Sequence, residues 1–212
     1  MLTPDSLRIP RDWWIEAGAD TGTYMGGAIC AISPKYDLYV LEEFPNYHYT
    51  GDGTIELTGM TVGEWIKWFA LRLRHYTRQT KNFAWVDANT TFKTEVAHGF
   101  RFKMNKKALD LRTEVTREYM RNGRIHFMPW LKVIPYEFEE AAWPEEETNS
   151  GRYLRVKKKD HCLDGVEHVC SRRPHPDFKT MEKAVKPGSL QDMLNRSAHA
   201  RPREIDPHLG AN

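Results

Sequence analysis

Three aspartates in this chain stand where carboxylates can converge on a metal ion. Asp20 and Asp87 each follow an apolar segment typical of a buried strand, and Asp164 lies near the predicted start of a late helix. Carboxylates at the ends of adjacent strands can approach one another, and a helix can add a third. Three such groups repel unless a cation lies between them. Ligation by oxygen alone favours Mg²⁺ or Mn²⁺.

The stretch around Asp164 combines acidic, basic and imidazole groups. Residues 157–168 read Lys-Lys-Lys-Asp-His-Cys-Leu-Asp-Gly-Val-Glu-His. If a helix begins here, Asp160 can cap its N-terminus. His161 and Asp164 then share a face, because they are three residues apart. Three ammonium groups precede them, on Lys157, Lys158 and Lys159. The stretch therefore predicts a site for a divalent cation and a phosphate.

The chemistry predicted for such a site is phosphodiester hydrolysis. Two ions about 3.5–4 Å apart can stabilise both the attacking and the leaving oxygen. Each aspartate alone has an ordinary explanation, since Asp is common in turns and at helix N-termini. The ordered set favours function, because His161 lies beside Asp164 and glycines surround Asp20. Those glycines are Gly18, Gly22, Gly26 and Gly27.

The elements that must position these residues form a mixed α/β pattern. Three strands joined by short turns indicate an antiparallel meander. Thr61 and Glu64 form a capping box ahead of an amphipathic helix, and we expect Trp65 and Phe69 of that helix to be core residues. The predicted strands are 13–19, 24–32, 37–44, 54–57, 82–86, 100–104, 124–128 and 152–157. The predicted helices are 61–76, 110–122 (capped by Asp110 and stopped by Gly123), 130–142 (interrupted by Pro135) and 160–171.

Length and composition indicate one domain with extensions. The chain has 212 residues, and five of its twelve prolines lie beyond residue 171. We expect a lead-in over 1–12, a domain over 13–171 and a largely irregular tail over 172–212. The net charge of +2 excludes a generally basic nucleic-acid binder. Local runs of charge, acidic over 137–147 and basic over 93–124, indicate solvated faces or a surface for a polyanion.

The cysteines indicate a reducing compartment. There are three of them, Cys30, Cys162 and Cys170, and we expect no signal peptide. An odd, sparse count argues against a disulfide framework and for the cytoplasm. Cys162, His168 and Cys170 match no standard zinc spacing. No apolar run approaches the ~20 residues that a membrane span needs.

The site residues resemble a known family. Gly18-Ala19-Asp20-Thr21-Gly22, Val86-Asp87-Ala88 and Asp160-His161-Cys162-Leu163-Asp164 are similar to the nuclease domain of tailed-bacteriophage terminase large subunits. The resemblance covers roughly residues 13–171, in order and spacing. It implies an RNase H-like fold related to RuvC-type resolvases. It also implies an Mg²⁺- or Mn²⁺-dependent endonuclease that uses two ions to cleave double-stranded DNA during genome packaging.

The resemblance also implies roles for individual residues. Asp20, Asp87 and Asp164 would be metal ligands, and His161 a ligand or a proton-transfer group. Asp160 would either ligate metal or only cap the helix. Glu42 and Glu43 are expected to be surface residues. Basic side chains would hold the DNA backbone without reading its sequence: Lys103, Lys106, Lys107, Arg112, Lys157, Lys158 and Lys159.

One part of the family's pattern is missing. Terminase large subunits carry an ATPase domain, but this sequence has no Gly-x-x-x-x-Gly-Lys-Ser/Thr loop. We therefore expect a separate nuclease domain, from an excised fragment or a split gene, that binds no nucleotide. The resemblance implies an ATPase domain, a small terminase subunit and a portal as partners, in the cytoplasm of an infected bacterium.

Other functions fit the same residues. A RuvC-like resolvase would use the same acids and would prefer branched DNA to linear duplex. A non-catalytic DNA-binding or assembly module could keep the same fold. Residues 18–23 also resemble the first phosphate loop of actin-like sugar kinases, but the second glycine-rich loop of those enzymes is missing here.

Overall fold

The described part of the chain consists of strands and helices in mixed order. The computed structural model describes residues 3–76, 83–87, 100–141 and 160–174. The strands are β1 (Trp14–Thr21), β2 (Met25–Ile32), β3 (Leu38–Glu43), β4 (Tyr47–Tyr49), β5 (Ile55–Leu57), β6 (Phe83–Asp87), β7 (Arg101–Asn105) and β8 (Ile125–Phe127). The helices are α1 (Val62–Tyr76), α2 (Leu109–Arg121), α3 (Val133–Glu140) and α4 (His161–Cys170).

Six of the strands form one sheet in the order β7-β6-β1-β2-β3-β8. The first three strands pair antiparallel, as their short connections predict. The pairs β1–β6, β6–β7 and β3–β8 are parallel. Strands β4 and β5 form a separate antiparallel hairpin. The mixed sheet with an antiparallel first half confirms the predicted fold class.

Helix α1 covers one face of the sheet. The capping box is present, because the Glu64 amide donates to Thr61 Oγ1 (3.3 Å) and the Thr61 amide donates to the Glu64 carboxylate (2.9 Å). The apolar stripe of α1 is buried: Trp65, Ile66, Phe69, Ala70 and Leu73. Trp65 and Phe69 are fully buried, which confirms them as core residues.

Helices α2, α3 and α4 cover the other face. Their buried side chains form a second apolar cluster with the sheet, which includes Cys30, Tyr119, Ile134, Val166 and Cys170. Gly123, at a φ of 62°, follows the end of α2 as the predicted stop. Among the described residues, no helix is long and apolar enough to cross a membrane.

Two local predictions about α2 and α3 are wrong. Ala108, not Asp110, occupies the N-cap position of α2, and Asp110 lies in the first turn. The sequence also predicts that Pro135 interrupts the helix over 130–142. Pro135 instead lies in the first turn of α3, where a missing N–H breaks no intrahelical hydrogen bond. The predicted strand over 152–157 lies outside the described residues.

The two glutamates predicted to be surface residues have structural partners. Glu42 accepts hydrogen bonds from Arg72 (2.8 Å) and from the Tyr76 hydroxyl (2.5 Å). Glu43 accepts from the backbone N–H groups at the start of α3, on the N-cap residue Lys132 and on Val133 and Ile134, at 2.7–3.0 Å. The second contact is an N-cap supplied from another element, since α3 has no side-chain cap of its own.

Candidate active site

Asp20 and Asp87 lie at the same level on neighbouring strands. Gly18 of β1 pairs with Trp85 of β6 in parallel register. Two residues further along each strand come Asp20 and Asp87, and side chains two apart point to the same face. Asp87 in turn pairs with Asn105 of β7. The two carboxylates therefore sit side by side on the face that α4 covers.

Glycines let α4 approach this row of residues closely. A Cβ added at Gly18 would lie 2.0 Å from the carbonyl oxygen of Gly165. A Cβ added at Gly26 would lie 2.3 Å from the carbonyl carbon of His161. Backbone thus packs on backbone, which only glycine permits. The close approach brings the first residues of α4 to the end of β1.

His161 and Asp20 make direct contact. His161 Nδ1 lies 2.8 Å from Asp20 Oδ2, and because an ionised carboxylate only accepts, the imidazole donates. Burial pulls the pKa of His161 down, but the hydrogen bond to Asp20 and the negative charges of Asp20, Glu137 and Asp160 outweigh it and raise that pKa. Tyr24 and Tyr47 flank the imidazole, with ring centroids 5.4 and 5.6 Å away.

Asp87 is held by a buried arginine. Nη2 of Arg112 donates to Asp87 Oδ2 at 3.1 Å, and Nη1 lies 2.8 Å from the ring of His168 in α4. Arg112 is 1% exposed, whereas the Asp87 side chain is 47% exposed. The prediction that Arg112 contacts DNA is therefore wrong, because its guanidinium is enclosed between α2, α4 and β6. Its charge instead orients Asp87.

The two remaining aspartates are buried at the start of α4. Asp164 is 4% exposed and lies one turn after Asp160, which is 6% exposed. Asp160 occupies the N-cap position, but its side chain makes no capping hydrogen bond. The predicted N-cap position of Asp160 is therefore confirmed, but the side-chain capping bond is not made. That Asp20, Asp87, Asp160, His161 and Asp164 ligate metal stays a prediction.

Glu137 supplies the missing cap and was not found from the sequence. Its Oε2 accepts from the backbone N–H of Leu163 at 2.8 Å, while its Oε1 accepts from the hydroxyls of Tyr47 (2.5 Å) and Tyr49 (2.8 Å). Glu137 begins the acidic run for which the sequence predicts a solvated face. Its spacing of three residues from Ile134 is the signal that places it on the buried side of α3.

The predicted DNA-contacting lysines differ in their surroundings. Lys103 is exposed, with Nζ 3.6 Å from the ring centroid of Phe83. Lys106 is also exposed. Lys107 donates to the backbone carbonyl of Ser171, and burial together with the nearby charges of Arg172 and Arg173 lowers its pKa. Lys157, Lys158 and Lys159 lie outside the described residues.

Arg172 adds a cation that sequence reasoning assigned to the tail. It is exposed, and its guanidinium carbon lies 4.4 Å from the ring centroid of Trp85. Lys103 Nζ lies 5.8 Å from the same ring. Two cations thus share the Trp85 ring, two residues before Asp87 on β6.

The donor types at the site fit a divalent cation. Carboxylates are ligands that suit Mg²⁺ or Mn²⁺, whereas an imidazole suits softer divalent ions better. Asp20 and Asp87 are adjacent on one face, and Asp164 lies in the helix that covers that face. The described residues contain no group of three His, Cys, Asp or Glu side chains already close enough to hold a metal ion. Asp20 and Asp87 instead bond to His161 and Arg112.

Comparison with known proteins gives matches only at the level of structure. No protein-family model and no curated protein matches this sequence. A large terminase from a thermophilic bacteriophage is 18% identical, with a TM-score of 0.58 over 77% of this chain and 41% of that chain. The complex of that terminase with ATP-gamma-S matches with a TM-score of 0.55. The P22 large terminase nuclease domain is 12% identical, with a TM-score of 0.52 over 80% of this chain and 86% of that domain.

This chain has the fold of phage large-terminase nuclease domains. The expectation drawn from the resemblance of the motifs around Asp20, Asp87 and Asp164 is thereby confirmed at the level of fold. The chain spans less than half of the thermophilic-phage terminase, 41% of its length. It matches most of the isolated P22 nuclease domain, 86% of that chain.

Proposed function

We propose that this chain is a divalent-cation-dependent endonuclease that cleaves double-stranded DNA as the nuclease part of a phage packaging terminase. The observation that carries the proposal is the contact between Asp20 and His161, 2.8 Å long, beside Asp87 on the next strand. These three residues come from β1, from β6 (the fourth strand of the main sheet in chain order) and from α4. The fold of large-terminase nuclease domains supports it.

Each residue has a defined task in this proposal. Asp20, Asp87 and Asp164 would hold two Mg²⁺ or Mn²⁺ ions, with Asp160 as a further candidate ligand. Bound ions would supply stabilisation of the negative charge that develops on the phosphate, and would acidify a water. Because Nδ1 of His161 donates to Asp20, Nε2 is the proton acceptor of its neutral imidazole. Nε2 can therefore take a proton from an attacking water.

The DNA backbone would lie along the cations near Trp85. Lys103, Lys106 and Arg172 are exposed on or beside the α4 face. We propose that they contact phosphates, together with Lys107, Lys157, Lys158 and Lys159. Such contacts position a duplex without reading its sequence. The domain bounds of 13–171 and the partners (an ATPase domain, a small terminase subunit and a portal) belong to the same proposal.

The test is plasmid digestion by the purified protein in EDTA, Mg²⁺ and Mn²⁺. We expect cleavage only with a metal ion, and a loss of at least about 100-fold in Asp87→Asn, since an amide is a poorer ligand for a hard cation. Asp12→Asn is the matched control, because Asp12 is exposed at the opposite end of β1. It should cleave like the wild type.

Two results would contradict the proposal. If Asp87→Asn cleaves as fast as Asp12→Asn, the site is placed wrongly. If the wild type binds duplex DNA but cleaves it in neither metal, the domain is a binding module. A strong preference of the wild type for junctions over linear duplex would favour a resolvase.

A further inference from the structure

Glu137 is a fully buried carboxylate that joins three elements. Its exposure is 0%, and it lies on α3. One oxygen accepts from the two tyrosine hydroxyls of β4, and the other accepts from the Leu163 amide at the start of α4. Burying an ionisable group costs free energy unless its hydrogen bonds are made. Three donors satisfy this one carboxylate, which therefore links α3 to β4 and to α4.

The bond to Leu163 has the geometry of an N-cap. Leu163 is the third residue of α4, and its N–H is one of the donors that lack a partner within the helix. The side chain at the N-cap position, Asp160, makes no such bond. The task therefore falls to a residue 26 positions away in the sequence, on another helix.

The other side of the junction reaches His161. Tyr47 donates to Glu137 and also packs edge-on against the imidazole of His161, with centroids 5.6 Å apart. Glu137 thus fixes both the backbone of the first turn of α4 and one wall of the histidine's surroundings. The first turn carries both His161 and Asp164. Small displacements of such groups cost catalytic rate steeply.

We propose that Glu137 is a positioning residue for α4. It anchors the first turn of this helix so that His161 lies within hydrogen-bond distance of Asp20. The inference rests on the proposed function for its effect on catalysis. The anchoring itself is a structural claim that can be measured without cleavage.

The test compares Glu137→Met with Glu42→Met in the full chain. Methionine keeps the unbranched length of glutamate but accepts hydrogen bonds only weakly. Glu42 is the matched control, because it also accepts from a tyrosine hydroxyl and its side chain is 12% exposed, but it lies near α1. Glu137→Gln is the conservative variant. Its amide oxygen can still accept from the Leu163 N–H when its NH₂ group faces the tyrosine oxygens.

Two measurements test the anchoring of α4 by Glu137, at a temperature where each variant is folded. Hydrogen exchange of the Leu163 amide reports the anchor, and kcat and KM for duplex DNA report its consequence. In Glu137→Met we expect faster exchange at Leu163 and a fall in kcat of about 10- to 100-fold with KM unchanged, as for other residues that orient a metal site. Glu137→Gln should retain most of the wild-type protection of the Leu163 amide and most of the wild-type kcat. Glu42→Met should change neither.

The inference is overturned if Glu137→Met folds with wild-type Leu163 exchange and wild-type kcat, or if Glu42→Met lowers kcat equally. If Glu137→Met does not fold, Glu137→Asp replaces it. A carboxylate shorter by one methylene cannot reach both partners, so wild-type values there overturn the inference. If the wild type cleaves no DNA, the proposed function fails, while Leu163 exchange and the proton signal of His161 Nδ1 still decide the anchoring.

Discussion

The two faces of the main sheet bury different kinds of side chain. Beneath α1 the buried set is apolar and combines aliphatic side chains with aromatic rings, among them Phe44, Trp65 and Phe69. Beneath α2, α3 and α4 the structure describes ten buried polar or charged residues as well: Asn105, Arg112, Thr113, Thr116, Glu137, Asp160, Asp164, Glu167, His168 and Ser171. Apart from those ten, the buried polar residues that the structure describes are Ser33 and Asn46.

This difference indicates that the α1 face contributes mainly to stability and that the polar groups of the α4 face contribute mainly to positioning. Burying a large apolar side chain stabilises the fold by about 1.5–3 kcal/mol, so the α1 face favours folding with little geometric demand. A buried polar group gains little net stability even when bonded, and losing its partner costs about 1–3 kcal/mol. Under the proposed function, these buried polar contacts on the α4 face would hold Asp20, Asp87 and His161 in a defined geometry.

The largest expected difference between the faces comes from two glycines. Gly18→Ala places a Cβ 2.0 Å from the backbone oxygen of Gly165, which cannot move without displacing α4. Gly27→Ala places a Cβ 3.2 Å from the side chain of Trp65 under α1, where a ring can shift. We expect Gly18→Ala to lower the free energy of unfolding by more than about 3 kcal/mol and Gly27→Ala by about 1 kcal/mol.

Urea denaturation of the two variants measures this difference. Equal losses for Gly18→Ala and Gly27→Ala would mean that α4 can move away from β1 as easily as a side chain shifts under α1. In that case, close backbone packing would not define the position of the site.

The next effect is a pH dependence of stability at Glu137. Burial raises its pKa from 4.5 to about 7, against opposing hydrogen bonds from Tyr47, Leu163 and Tyr49 and the charge of His161. Between these two pH values the folded protein keeps a proton that the unfolded chain has lost. Raising the pH therefore lowers the free energy of unfolding, by up to roughly 3 kcal/mol at 1.36 kcal/mol per unit.

Chemical denaturation from pH 4.5 to 8 tests this dependence. The difference in stability between the wild type and Glu137→Gln should change with that sign across the window, because the amide does not titrate. Gly27→Ala serves as the control under α1, because it changes no titratable group, and it should keep the wild-type slope. A parallel profile for the wild type and Glu137→Gln would show that Glu137 stays ionised throughout the window.

Sequence patterns predicted the local features of both faces. The capping box of Thr61 and Glu64 and the stripe through Trp65 and Phe69 lie within α1, so its boundaries and buried side follow from spacing alone. The meander of β1, β2 and β3 follows likewise from short connections. Asp20 and Asp87 were found because each ends an apolar strand, and the topology brings the two strands together.

The non-local contacts of the α4 face were missed for a physical reason. Local spacing predicts Asp160 as the cap of α4, but the acceptor for the Leu163 N–H comes from Glu137 on α3, and no local pattern encodes that pairing. Arg112 lies in a basic run, which is typical of a surface. Its spacing from Val115 and Tyr119, three and seven residues on, places it on the buried side of α2.

The smallest effect concerns the exposed cations of the two faces. Binding of duplex DNA, measured in EDTA so that no cleavage occurs, should weaken with salt by a log–log slope of about 0.9 per phosphate contact. Lys103→Gln and Arg172→Gln remove cations near Trp85, and each should flatten that slope by about one contact. Lys67→Gln and Arg74→Gln are the controls, because both residues are exposed on α1. They should leave the slope unchanged. If they flatten it as much as the first pair, the duplex does not follow the surface beside Asp87, and the buried polar groups of the α4 face need another explanation.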